Sequence, residues 1–339
     1  MATIKTKIMR ANGSGTYDQL LPETSIAQVT DLQQQLTNIN TNINSKQAQL
    51  TAGNNIIISN NTIDTKVYPC NPNMLTNWYF GKPVNQRGQT SYSGGGSKYT
   101  IDRWRMQAPN SASYVNVNNG YITVAGTSGA QGYNDFVYYF EEKPTDETVT
   151  LTALLTDGTI ITRAGKIGEM AAITNQWRSS GVGQPHVALR FDSTPFNIVA
   201  VKMELGDTQT LCHMGSDGKY VLNEIPNYQQ QLAQCQRYCV AIDHQTYKRA
   251  DTASLSQFWF YIPLPVTLRS NPSLESGNTP TVYSFNPSSQ VAQTGFTFTY
   301  EVSGAGDATL RVRATKSSGH GLSDATLFLS GVVLSCEVV

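Results

Sequence analysis

Charge is scarce in this chain of 339 residues: Asp, Glu, Lys and Arg make up 14%, and 24 acidic residues balance 24 basic ones. Such a chain carries no electrostatic footprint for nucleic acid or for an anionic membrane surface. It also has no apolar run long enough to cross a bilayer, so no membrane insertion is expected. The opening MATIKTKIMR contains no apolar signal core, as expected for a chain made and assembled in a cytoplasm. Cysteine is sparse and odd in number, at Cys70, Cys212, Cys235, Cys239 and Cys336, which argues against a disulfide framework. The four-residue spacing of Cys235 and Cys239 does not fit a zinc knuckle; on a helix the pair shares a face with Leu232, as buried small hydrophobes. Histidine is limited to His186, His213, His244 and His320, and no Gly-x-Ser-x-Gly motif surrounds a nucleophile. The glycine run SGGGS at 93–97 is not followed by Gly-Lys-Ser/Thr, so it is not a phosphate cradle. Adjacent carboxylates at Glu141-Glu142 and Asp146-Glu147 point to opposite faces of a strand or sit on exposed turns, which is wrong for glycoside hydrolysis. These absences direct the reading away from an enzyme, a cofactor or a metal.

What the chain has is Asn, Gln, Ser, Thr, Gly and Tyr, suited to extended β-structure, and one segment of unusual regularity. Residues 29–50 read VTDLQQQLTNINTNINSKQAQL. Val29, Leu32, Leu36, Ile39, Ile43, Lys46 and Leu50 follow at alternating intervals of three and four, so each takes an a or d position of a heptad, with Lys46 as the polar exception. A helix packed on its own domain shows a wider apolar stripe; this narrow seam predicts a coiled coil, and a single helix in a bundle is the competing reading. The flanking positions Gln28, Gln33, Gln35, Asn40, Asn42, Gln47 and Gln49 carry no charge to select a different partner, so self-association is the simplest outcome. Ile at both an a and a d position leans towards a homotrimer. Such a helix is roughly 33 Å long.

Residues 1–25 form an arm that begins with an alternating strand pattern; 26–50 are the coil; 51–68 offer two short strands around Asn60 and Asn61, a hairpin connector that cannot bury its own apolar face. Residues 69–206 carry short strands at intervals of about ten residues between Gly, Asn and Pro turns, the pattern of a sandwich or jelly roll. The 93–97 glycine run lies between strand-like stretches and reads as a loop inside this domain. Residues 207–240 are a linker and a helix beginning near Asn227, just after Pro226. Residues 241–339 alternate strongly and form a second β-domain. The expected fold is mainly β, with an N-terminal α-helical coiled coil and two sandwich or jelly-roll-like domains in series.

Three stretches carry a resemblance. GTYDQLLPETSIAQVTDL, NMLTNWYFGKPVNQRGQTSYSGGGSKYTIDRWRM, and VAVKMELGDTQT followed by YVLNEIPNYQQQLAQCQRYCVAI resemble the tail fibre and receptor-binding proteins of phages and prophages of gut bacteria. The phrase NWYFGKPVNQRG with TIDRW after it is the most specific, and is similar to the opening of a carbohydrate-binding-like jelly roll in those fibres. The resemblance implies a homotrimeric virion protein whose N-terminus meets tail or baseplate proteins and whose C-terminal part reaches the bacterial surface. The alternatives from other classes are a structural baseplate or collar protein without receptor contact and a glycan depolymerase tailspike, though no long β-helix repeat is present.

Sugar rings stack on exposed aromatic side chains while Asn, Asp and Gln read their hydroxyls, so exposed aromatics are the candidates for a surface-glycan site. Trp78, Tyr79, Trp104 and Trp177 are those of the first β-domain; Trp78 and Trp104 lie in strand-like patterns and read as core, and Arg87 of NQRG reads as a buried structural arginine. The second domain offers Tyr247, Trp259, Tyr261, Tyr283, Phe285 and His320. Alternation puts Phe258, Phe260 and Ile262 on one face and Trp259 and Tyr261 on the other, open to solvent or, more simply in a trimer, to a neighbouring subunit. The glycan-binding set carried forward is Tyr247, Trp259, Tyr261, Tyr283 and Trp177.

Overall fold

The computed structural model describes residues 8–11, 13–15, 17–20, 30–48, 56–59, 62–65, 71–108, 112–126, 134–243, 245–286, 289–302, 307–320, 322 and 324–338. They fall into two compact units, Met1–Val67 and Tyr68–Val339. The protein is mainly β, in antiparallel sheets, with two helices among the described residues.

In the first unit, strands Ile8–Ala11 and Tyr17–Leu20 pair antiparallel, as do Ile56–Ser59 and Thr62–Thr65 on either side of the predicted Asn-Asn turn, which lies outside the described residues. Between the two pairs the chain forms the helix Thr30–Ala48, with Asp31 in its first turn and Lys46 in its last, both matching the helix dipole. Thr37 and Thr41 return their hydroxyls to the carbonyls of Gln33 and Thr37, each at 2.9 Å. Val29 and Leu50, the outer members of the heptad pattern, lie outside the described residues.

Among the described residues the second unit holds two large hydrophobic cores and a small cluster of Val137, Tyr139, Ala188 and Val338. Around the first, a six-stranded sheet runs in the order Ile160–Lys166, Thr148–Leu155, Phe196–Leu205, Ile122–Ala125, Tyr114–Val117, Ser91–Ser93. A five-stranded sheet runs Trp177–Ser180, His186–Phe191, Asn134–Tyr139, Trp104–Ala108, Gly96–Tyr99. Inward residues of both sheets share one core, in which Trp104 stacks on Phe136 at 4.7 Å and meets Phe80 edge-on at 5.4 Å. The glycine run does lie inside this lobe: Ser93 ends a strand of one sheet, Gly96 opens a strand of the other, and Gly94 (φ 101°) and Gly96 (φ 85°) take the left-handed backbone that the crossing needs. Leu211, Cys212, Tyr220 and Leu222 also join this core, so part of the expected linker completes the first lobe.

Helix Tyr228–Gln236 follows. Asn227 is its N-cap, with an extended backbone and a side-chain oxygen that accepts from the amides of Gln229 and Gln230 at 2.9 and 3.2 Å. The helix ends before Cys239, which opens the strand Cys239–Ile242; the shared helical face proposed for Cys235 and Cys239 is therefore corrected, although both thiols are buried. The local pattern ran on past Gln236 because Cys239 faces a core in the strand as well.

In the second lobe, strands Cys239–Ile242, Val332–Ser335 and Ser273–Gly277 form one sheet, and Thr246–Arg249, Ala325–Leu329, Thr281–Asn286 and Ser289–Gln293 another. Cys239–Ile242, Ser273–Gly277 and Val332–Ser335 of the one adjoin in sequence Thr246–Arg249, Thr281–Asn286 and Ala325–Leu329 of the other, so the two sheets meet where these strands end. Where they meet, a Cβ on Gly277 (φ 104°) would stand 1.8 Å from the Gly331 carbonyl oxygen, so only glycine fits. A third sheet, Thr252–Ala253, Gln257–Pro263, Thr309–Thr315, Thr297–Val302, closes the core with Phe258, Phe260, Leu310 and Val312 against Val282, Leu327 and Leu329.

Candidate functional site

Among the described residues of the first unit, none covers the apolar positions of the first helix. Leu32, Leu36, Ile39 and Ile43 are 40%, 43%, 52% and 53% exposed, and every described side chain from Asp31 to Lys46 is exposed. A helix so rich in Asn, Thr and Ile gains little from intrinsic propensity, and helices in proteins take most of their stability from packing of an apolar face.

The aromatic candidates separate onto two outer faces of the second lobe. On the sheet that carries Gln257–Pro263, inward and outward residues alternate as the sequence requires: Phe258, Phe260 and Ile262 are buried, Trp259 and Tyr261 half-buried. The register sets Trp259 opposite Arg313 and Tyr261 opposite Arg311, with Thr299 and Glu301 on the strand beyond, opposite the same two arginines. Glu301 accepts from Arg311 Nε at 2.9 Å and pairs with Arg313 at 3.0 Å; Arg313 Nε donates to Thr299 Oγ1 at 3.1 Å. The Arg311 guanidinium lies 5.3 Å from the Trp259 ring centroid, and Trp259 Nε1 donates to Gln257 Oε1 at 3.3 Å. An indole and a phenol thus share one sheet face with two guanidinium groups and one carboxylate, groups that can stack on a sugar face and bond its hydroxyls.

The other outer face carries Tyr247, Phe328 and Tyr283. Tyr247 is 55% exposed, its ring 4.9 Å from that of Phe328, which in turn meets Tyr283 at 6.2 Å. Arg249 pairs with Asp324 at the edge of this platform. Phe328, Arg311, Arg313 and Glu301 were not among the sequence candidates. The alternation in TLRVRAT, which puts both arginines on one face, is the signal that was present; their placement beside Trp259 and Tyr261 depends on register. The side chain of Phe285 lies outside the described residues, and His320 stacks on Phe258 at 4.1 Å, half-buried against the core edge.

Trp177 does not serve. It is completely buried, with Nε1 donating to the Ile161 carbonyl at 3.1 Å, because its strand faces the first core; its candidacy as a sugar platform is corrected. Trp78 and Trp104 are buried, as the strand-like pattern around them predicts. Glu141, Glu142, Asp146 and Glu147 lie on the loop before Thr148–Leu155, with Asp146 held by Lys143 at 2.6 Å.

The motif residues of NQRG and TIDRW form a buried junction between the lobes. Asp102, fully buried, accepts from the Gln86 amide (3.1 Å), Gln86 Nε2 (2.6 Å) and Arg87 Nη1 (3.3 Å), and burial pushes its carboxyl up to about 7 against the pull of Arg87. Gln86 Nε2 also reaches the Cys239 carbonyl at 2.5 Å, and Arg87 forks onto Glu275 of the second lobe at 2.7 and 2.9 Å. Arg103 (φ 71°) gives its backbone N–H and Nη1 to the two oxygens of Glu337 at 2.9 and 2.7 Å and lies 3.6 Å from the Tyr238 ring centroid. Arg87 is thus the buried structural arginine that its setting suggested, and this motif joins lobes rather than facing ligand. Family models, curated proteins and solved structures give no match to the chain.

Proposed function

We propose that this chain is a homotrimeric phage tail fibre or receptor-binding protein that attaches a virion to a bacterial surface glycan. On this reading residues 1–25 meet the tail or baseplate, 26–50 form the trimeric coil, the first lobe is a jelly-roll-like carbohydrate-binding module and the second contacts the host. The exposed helix face is the observation that carries it. Completing the burial of Leu32, Leu36, Ile39 and Ile43 in three chains contributes on the order of 10 kcal/mol, taking roughly 1 kcal/mol for the half still exposed on each side chain. The aromatic faces of the second lobe support the glycan part, since rings framed by arginine and carboxylate suit hydroxyl-rich ligands. Three weak sites on one trimer bind a dense surface together and gain roughly 10²–10⁴ in avidity.

Binding of the full-length protein to whole bacteria, measured by sedimentation, tests the reading. A variant carrying Leu36→Asp and Ile39→Asp should lose about a hundredfold in apparent affinity, and Trp259→Ala should weaken binding without changing the fold. Equal binding by the coil variant would contradict the avidity mechanism.

A further inference from the structure

The geometry points to a second binding site, for a neutral hydroxyl-rich ligand such as a hexose or short oligosaccharide, in a groove on the first lobe. The groove has a volume of about 610 Å³ and lies between residues 71–78 and residues 224–234. That size falls within the roughly 300–1,000 Å³ of ordinary ligand sites.

One wall is fixed by its own hydrogen bonds. Asn73 Oδ1 accepts from the amides of Leu75 and Met203 at 3.0 and 3.1 Å, and its Nδ2 donates to the Val201 carbonyl at 2.9 Å. The other wall keeps polar capacity in reserve. Asn227 spends its oxygen on the helix cap, which leaves Nδ2 as a donor. Gln231 accepts from the Asn77 amide at 2.5 Å and donates to Gln234 Oε1 at 3.1 Å, which leaves the Gln234 amide nitrogen. Gln230 is exposed, and its amide is available as both donor and acceptor.

The carboxylate of Glu224 completes the groove. The ammonium of Lys202, itself completely buried, holds one oxygen at 3.3 Å, and the other is an acceptor for a ligand hydroxyl. Ile225, 66% exposed, and Pro226 offer an apolar strip for the C–H face of a sugar ring. Among the described residues Glu224 is the only charged one lining the groove, and behind it Lys202 is matched by the buried Glu204 at 3.8 Å. The surplus charge is therefore negative, and anionic sugars are disfavoured. Two amide donors, one complete amide and one positioned carboxylate beside an apolar strip are the chemistry that reads the hydroxyls of a neutral sugar.

This inference deepens the attachment reading and rests on it only for the origin of the glycan. Saturation-transfer NMR on the full-length protein tests it, with lactose, N,N′-diacetylchitobiose and methyl α-mannoside as neutral probes and 3′-sialyllactose as the anionic one. The test variant combines Asn227→Asp, which keeps the capping oxygen but removes the donor, with Gln230→Ala. At least one neutral probe should bind and weaken at least about tenfold in the variant, as the loss of neutral hydrogen bonds implies, while 3′-sialyllactose gives no signal that the variant abolishes. No signal from any neutral probe, or a signal undiminished in the variant, would overturn the site. Sugar binding without adsorption to cells would refute the attachment reading alone. Adsorption unchanged in the variant, with no sugar signal, would refute the groove alone.

Discussion

Removing Glu337 should be among the most damaging single changes in the second unit. Its carboxylate is 1% exposed and receives Arg103 Nη1 at 2.7 Å, the Arg103 amide at 2.9 Å, and Arg87 Nη2 at 3.7 Å. Arg87 keeps Asp102 and Glu275 when Glu337 is lost, but Arg103 keeps only the Tyr139 carbonyl at 2.8 Å and the tyrosine rings around it. A buried cation left with so little compensation costs about 3–5 kcal/mol, and Glu337→Ala should lower stability by that amount in urea unfolding. Replacing both partners, Arg103→Met with Glu337→Met, removes the orphaned charge and should cost less than the single change. Asp146→Ala, which breaks the exposed pair with Lys143, should leave the midpoint where it is. A loss below about 1 kcal/mol for Glu337→Ala, or a double variant worse than the single one, would refute the reasoning.

Other consequences are equally direct. Among the described residues the buried Tyr300 hydroxyl finds no hydrogen-bond partner, and burial raises its pKa to about 12, so Tyr300→Phe should stabilise the protein by about 1 kcal/mol in the same assay; a loss would show that the hydroxyl is bonded. Arg178, always a donor, points Nη1 at His186 Nε2 at 3.0 Å, so His186 carries its proton on Nδ1 towards the Gln184 carbonyl at 2.9 Å. Burial first, with Arg178 helping, lowers its pKa from the usual 6.5. The unfolded chain then binds more protons just below that value, so this group's contribution to stability falls as pH drops through about 6.5, and His186→Gln should flatten the slope between pH 7 and 5. An unchanged slope in the variant would assign the dependence elsewhere.

Local signals in the sequence were strong where structure is local. The three-and-four spacing over 29–50 anticipates the helix Thr30–Ala48, and Pro226 followed by Asn227 marks the start of the second helix within a residue. Alternation in SQFWFYIPL sorts Phe258 and Phe260 from Trp259 and Tyr261, because a strand with one buried face repeats every two residues. What the sequence hides is pairing at a distance. Arg87 meets Glu275 across 188 positions and Arg103 meets Glu337 across 234, so no local pattern shows that NQRG and TIDRW tie two lobes together. Trp177 failed as a sugar platform for a related reason, since only the fold shows which side of its strand faces the core. The groove was equally out of reach: its two walls lie on segments about 150 residues apart, and a Gln-rich helix reads locally as a solvated one.

Self-association through the first helix is the claim on which the attachment account depends, and light scattering of the purified full-length protein tests it most directly. The account predicts a mass three times the 37.1 kDa of one chain, falling towards one chain when Leu36 and Ile39 are both changed to Asp. A wild-type protein that runs as a single chain, or a trimer indifferent to those two substitutions, would contradict it.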